Sequence, residues 1–172
     1  MTQLEQLLAS NERFAKRFTG ADLTAKARLP FVILSCVDQR TSPVHFFELE
    51  LGDALVMRTV GGRVTDGVEA ELGVLWFMLS RTSDDPPDLN VAVVHHTECG
   101  MQKISSNEAR AALSEFMGTD RYSVLYPAPD PEESVRFDVE RLRNSPLVPE
   151  AVSITGFVFD VRTGRLRQIV DG

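Results

Sequence analysis

Two short segments concentrate the side chains able to do metal or acid–base chemistry. Residues 31–40 read FVILSCVDQR, an apolar run followed by Cys36, Asp38 and Arg40 at every second position. Residues 89–100 read LNVAVVHHTECG, a second apolar run closing on His95, His96 and Cys99. Cys36 and Cys99 are the 2 cysteines of the chain. Either one alone reads as a small buried hydrophobe. Both at the ends of apolar runs, each beside a metal-compatible or ionic group, read as ligands. Two thiolates and one imidazole suit Zn²⁺ and leave a fourth position open. Chemistry needs that open position, because zinc lowers the pKa of bound water to about 7 and supplies hydroxide at neutral pH.

Neighbouring side chains on an extended strand face opposite ways, so one of His95 and His96 is expected to point into the site. His96 with Cys99 makes H-x-x-C, a turn short enough to wrap one ion, and is the favoured ligand. His95 joins only if the turn is a regular helix, and is otherwise expected on the far side, packed or hydrogen-bonded. Asp38 has two possible tasks, taking the fourth metal position or accepting a hydrogen bond from bound hydroxide. Arg40 is placed to hold that carboxylate through a bidentate pair, keeping it ionised and acceptor-only.

The elements that must position these residues follow from hydrophobic periodicity. Strands are expected at 31–35, at 54–59 and over LNVAVVHH, the last as a central parallel strand. Two more, joined by a tight turn at Arg162 to Arg165, are expected in AVSITGFVFDVRTGRLRQIV. Helices are expected over residues 3–18, where Leu4, Leu7, Leu8, Phe14 and Phe18 share a face, and near 66–80. A third should follow Ser105 and Glu108, which have capping-box spacing, and run to Gly118. A fourth should have Asp130 as N-cap, Pro131 at the first helical position, and Glu132 and Glu133 complementing its dipole. DDPPD at 84–88 breaks the chain. Strands alternating with helices imply an α/β fold: a mainly parallel central sheet flanked by helices, with an antiparallel edge strand at the C-terminal end. Such sheets place ligand sites past the carboxyl ends of their strands, where both reactive segments begin.

The chain of 172 residues is long enough for one domain, expected over 1–172 as a helical arm (1–28) and an α/β core (29–172). Hydrophobic residues make up 43% and charged residues 25%, and the net charge of −7 speaks against a nucleic-acid surface. No apolar stretch reaches the ~18 residues of a membrane span. The opening MTQLEQLLASNERFAKRF lacks a basic segment leading into an apolar one, so a cytoplasmic location is expected. In that reducing compartment a structural Cys36–Cys99 disulfide is not expected.

C-x-D-x-R followed at a distance by H-x-x-C-G resembles the β-class carbonic anhydrases, and HHTECGM resembles a bacterial branch of them. LLASNERFAKRF is similar to the family's N-terminal helix, and LGDALVMRTVGGRVTDGVEAELGVLWFML to the segment between the ligand motifs. SPLVPEAVSITGFVFDVRTGRLRQIV is similar to its closing strands. The resemblance implies one Zn²⁺ per subunit on Cys36, His96 and Cys99, an Asp38–Arg40 dyad orienting the nucleophile, and reversible hydration of CO₂ to bicarbonate and a proton through zinc-bound hydroxide. It also implies a homodimer or higher homo-oligomer with the cleft near the subunit interface. In some relatives the aspartate itself binds zinc and gives an inactive state. Relatives also include COS and CS₂ hydrolases with the same ligand set, and a zinc-binding homologue without catalysis is a further alternative. The chain departs from the family after Arg58, where Asn-Ala-Gly is common and Thr59-Val60-Gly61 stands here; TSPVHFFELEL also matches less closely.

Other residues carry two readings each. Gly61 and Gly62 are a plain turn or part of the cleft wall. Gly100 frees the backbone after the ligand loop, or turns its amide to a bound anion. Arg58 pairs with a carboxylate or binds an anion. Trp76, Phe77 and Met78 belong to the core or to a dimer contact.

Overall fold

Aliphatic and β-branched side chains suit a pleated strand buried on both faces, and the two reactive segments begin with such runs. The computed structural model describes residues 1–81, 87–119 and 129–172. The first run forms β1 (Phe31–Cys36) and the second β3 (Asn90–His96); the others are β2 (Leu55–Thr59), β4 (Ser153–Phe159) and β5 (Leu166–Val170). The sheet order is β2-β1-β3-β4-β5. The first four strands in that order run parallel, and β5 lies antiparallel to β4 at the edge, as expected. Gly164, with φ of 70°, closes the turn before β5 and donates its N–H to the Asp160 carbonyl at 2.8 Å.

The helices are α1 (Gln3–Ala15), α2 (Pro43–Phe46), α3 (Asp66–Ser80), α4 (Asn107–Met117) and α5 (Pro131–Arg143). Strand alternation sorts the core. Val32, Leu34, Val91 and Val93 face one side, covered by Val68 and Leu72 of α3 and Val135, Val139 and Leu142 of α5. Ile33, Ala92 and Val94 face the other, where Phe46 and Leu49 pack and Phe46 stacks on Phe159 with ring centroids 4.7 Å apart. β3 is therefore central, and its residues from Val91 onward are buried.

Several local expectations hold and others shift. Asp130 caps α5, its Oδ1 accepting from the amides of Glu132 and Glu133 at 2.8 and 3.0 Å, with Pro131 opening the helix. The cap of α4 is Ser106, not Ser105: the Ser106 hydroxyl accepts from Ala109 N at 3.2 Å. Ser105 is consumed as the C-cap of the preceding 3-10 turn (Gly100–Ile104), and its hydroxyl donates to the Met101 carbonyl at 2.9 Å. α1 ends at Ala15 because Arg17 and Phe18 bond three residues back, tightening the last turn. The break expected at 84–88 lies mostly outside the described residues.

α1 buries none of its residues; Leu4, Leu7 and Leu8 are 65%, 70% and 57% exposed. On α3, Trp76 packs against the core while Phe77 and Met78 are exposed. Among the described residues no helix is long and apolar enough to cross a membrane. Leu142 holds α5 onto β3 and has no exposed surface. Leu142→Ala is expected to cost about 2–5 kcal/mol through lost transfer energy and a residual cavity, read as a lower urea midpoint at unchanged slope.

Candidate metal centre

Parallel pairing sets Ser35 level with Val94, so β1 and β3 end side by side and release both reactive segments at one edge of the sheet. Cys36, His96 and Cys99 are all buried there, with ligand atoms all within 4.8 Å of one another. His96 Nδ1 lies 2.9 Å from the Thr97 carbonyl. A carbonyl only accepts, so Nδ1 carries the hydrogen and Nε2 keeps its lone pair. That Nε2 is buried with no hydrogen-bond partner among the described residues. An unsatisfied buried polar atom costs roughly 1–3 kcal/mol, which a metal bond at that nitrogen would remove. Two buried thiols and one buried imidazole form a donor set that fits a soft divalent ion.

The thiols are electrically unequal. The Cys99 thiol donates to Cys36, and His96 and the Asp38 amide add to this, so the Cys36 thiol drops to about 4 against the opposing effect of burial. The Asp38 N–H lies 3.4 Å from Cys36 Sγ. Cys99 is pushed upward by that same hydrogen bond to Cys36 and by burial. A cation placed between them is what would make a second thiolate favourable.

The two loops are shaped by different residues than expected. Gly100 does not free the backbone: its φ is not positive, and a Cβ there would meet no atom of the described residues within 4 Å. The left-handed residue of the ligand loop is Glu98, with φ of 57°. Across the site Gly61 and Gly62 have φ of 76° and 70°. A Cβ on Gly61 would fall 2.6 Å from Met101 Cγ, and one on Gly62 would fall 3.1 Å from Cys36 N and 3.2 Å from the Val94 carbonyl. Gly62 is thus demanded by close approach to the ligand-bearing strands, and Gly61 by close approach to Met101 just past Cys99. A cavity of about 430 Å³ opens over Cys36 and Cys99, with Asp38, Gln39, Gly61 and Gly100 in its lining and Val37, Val60, Met101 and Ile104 as its apolar surface.

Asp38 and Arg40 form the expected pair. Arg40 Nε lies 3.0 Å from Oδ1 and NH2 lies 2.7 Å from Oδ2, and the Arg40 amide donates to Oδ1 at 2.9 Å. These hydrogen bonds outweigh partial burial and lower the Asp38 carboxyl to about 2. Arg40 also donates to the Glu98 carbonyl at 3.2 Å, and Arg162 pairs with the Glu98 carboxylate. Arg58 pairs with no carboxylate among the described residues. Its Nε donates to the Cys36 carbonyl at 2.9 Å and its NH2 to the Asp38 carbonyl at 2.7 Å, while the buried Thr41 hydroxyl donates to the Asp38 carbonyl at 2.9 Å.

His95 faces away from the thiols, as expected. Its Nε2 donates to Asp138 Oδ2 at 2.9 Å, and Arg63 Nε reaches the same oxygen at 2.7 Å. Sequence reasoning did not find Asp138, Arg63, Glu98 or Thr41. A signal existed for Asp138: it sits within the Val135, Val139, Leu142 stripe of α5, a carboxylate on a face meant for the core.

An α/β protein with a buried Cys₂His cradle past the carboxyl ends of its central parallel strands is the class that fold and site define. Residues 31–122 match the family model described as carbonic anhydrase. β-Carbonic anhydrase 1 of Mycobacterium tuberculosis is 30% identical over 169 residues, covering 98% of this chain and 99% of that protein. The crystal structure of the carbonic anhydrase from Streptococcus mutans superimposes with a TM-score of 0.83 at 33% identity, covering 98% of each chain. The carbon disulfide hydrolase of Acidianus sp. is 29% identical over 160 residues, covering 79% of this chain and 75% of that protein. The chain belongs to the β-carbonic anhydrase family.

The pairing of Asp38 has a sign that can be checked. Its folded value of about 2 lies below the 3.8 of a free carboxyl, so the pair adds stability above the unfolded value and loses it as pH falls through the folded one. In the metal-free protein, ¹³C NMR of the Asp38 carboxyl is expected to titrate near 2. Arg40→Ala is expected to move that midpoint upward.

Proposed function

We propose that the protein is a zinc-dependent carbonic anhydrase that interconverts CO₂ and bicarbonate, with Cys36, His96 and Cys99 holding one Zn²⁺ per subunit. The observation that carries this reading is His96 Nε2, buried without a hydrogen-bond partner beside two free thiols while Nδ1 is fixed on Thr97. Zinc in that cradle would supply Lewis acidity, lowering the pKa of water to about 7 and making a nucleophile at neutral pH. The remaining work falls to the chain's own groups. Asp38 stays ionised and therefore accepts only, which selects the proton-bearing side of the attacking oxygen and turns a lone pair toward the substrate carbon. Arg40 fixes the plane of that carboxylate. Arg58 and Thr41 hold the backbone on which it is mounted.

The apolar lining from Val37, Val60, Met101 and Ile104 suits a linear substrate without a net dipole, for which water competes weakly. Released protons leave through water or buffer. A homodimer or higher homo-oligomer is part of the reading, because the exposed apolar stripe of α1 and exposed Phe77 and Met78 need cover. So is a reducing, cytoplasmic setting, which keeps two adjacent thiols available.

Hydrolysis of CS₂ or COS at the same centre is the second reading. It is favoured by the similarity to the Acidianus enzyme and by Val60 on the cavity wall, where the family pattern has alanine.

Metal content and turnover on one preparation test both. Stoichiometric zinc with rapid CO₂ hydration is expected, with Cys99→Ser losing the zinc. Asp38→Ala is expected to retain zinc while turnover falls by about a hundredfold, the scale of losing a residue that orients the centre. Negligible CO₂ turnover beside rapid CS₂ or COS turnover would select the second reading. Parent-rate turnover in Asp38→Ala would remove the role given to that residue.

A further inference from the structure

One carboxylate reaches both the end of β3 and the loop that packs against Cys36. Asp138 is 0% exposed, Arg63 1% and His95 3%. Asp138 Oδ2 accepts from His95 Nε2 at 2.9 Å and from Arg63 Nε at 2.7 Å, while Oδ1 accepts from Arg63 NH2 at 3.1 Å. The guanidinium fork on a buried carboxylate permits one relative geometry. His95 immediately precedes His96, so holding its ring holds the strand end that aims the His96 imidazole. Arg63 ends the cleft loop; its carbonyl accepts from the Thr59 hydroxyl at 2.9 Å, closing residues 59–63 on themselves. Within that loop Gly62 lies against the Cys36 amide and the Val94 carbonyl. The carboxylate on α5 therefore connects the support of Cys36 on one side with that of His96 on the other.

A buried ion pair is by itself weak evidence of stabilisation, since apolar residues of equal volume often do as well. What an apolar replacement could not reproduce is the directional link to a strand end and a loop at once. We infer that Asp138 is a positioning residue for the metal centre, setting through His95 and Arg63 the spacing of the Cys36 and His96 donor atoms without touching the ion. This rests on the zinc reading above. It differs from it in assigning metal geometry to a side chain on a helix remote in sequence from every ligand.

Zinc affinity by competition with a chromophoric chelator, and the absorption spectrum of the Co²⁺-substituted protein, report the cradle without turnover. His95→Leu keeps the Arg63–Asp138 pair and removes the link to the strand. It is expected to bind zinc about ten- to a hundredfold more weakly, the range found when supporting hydrogen bonds around a metal are lost, and to shift the Co²⁺ bands. His95→Gln, whose amide N–H can still reach Asp138, is expected to bring both readouts back toward the parent. Asp138→Asn is expected to weaken binding as His95→Leu does; if it does not fold, the His95 pair decides.

A folded His95→Leu with the parent's zinc affinity and Co²⁺ spectrum overturns the inference. So does a His95→Leu chain that does not fold, since the cluster would then be a folding device. A parent protein that holds no zinc removes the zinc reading itself. A parent that holds zinc, loses it in Cys99→Ser and is unaffected by His95→Leu removes only the inference.

Discussion

Parallel pairing of β1 with β3 is the constraint on which the centre depends. Because Ser35 stands opposite Val94, the chain leaves both strands at the same height, and the side chains that follow enter one small volume. A slip of one residue in that register would exchange the faces of the slipped strand. His96 would then trade places with His95, and the imidazole beside the thiols would be replaced by one tied to α5. The dense packing of Val32, Leu34, Val91 and Val93 under α3 and α5 is therefore also what aims the donors. Hydrophobic burial sets the register, and the register sets the chemistry.

The polar groups of the interior divide into two kinds. Around Asp138 each carboxylate oxygen is matched to donors, Arg63 on both and His95 on Oδ2. Around His96 the matching is incomplete: one nitrogen is satisfied by Thr97 and the other has no partner. The adjacent thiols differ in acidity because one supports the ionised form of the other at its own expense. An interior normally avoids such imbalance, since each unmet group costs free energy. Its location beside a cavity and an ion-paired carboxylate makes it the reactive part of the molecule. Asp38, by contrast, is oriented by Arg40 before any ligand arrives and keeps acceptor capacity for a further donor.

Family membership agrees with this division. Similarity to carbonic anhydrases spans nearly the whole chain, and the similarity to a carbon disulfide hydrolase shows that the same scaffold occurs with another named activity. The departure at Thr59-Val60 puts Val60 on the cavity wall and changes none of the donor residues. Thr59 has a structural task of its own, since its hydroxyl closes the loop onto the Arg63 carbonyl.

The strands, the antiparallel edge, the cap at Asp130 and the donor residues Cys36, His96 and Cys99 were legible because each rests on local information; the meeting of the donors needed β1 beside β3. Period-two burial, turn residues and donor types at strand ends are written in a few consecutive positions. The Asp38–Arg40 pair belongs with them, being two residues apart. Other features were decided by tertiary structure alone. Arg58 turned to backbone carbonyls because β2 lies beside β1; Glu98, not Gly100, took the left-handed turn; Ser106 displaced Ser105 as a cap because the preceding 3-10 turn used the earlier serine. Asp138 found His95 and Arg63 across separations of 43 and 75 residues closed only by the fold. Local sequence determines which backbone a segment prefers and which chemistry it carries. The choice of partner depends on which elements become neighbours, and that is settled by the packing of the whole core.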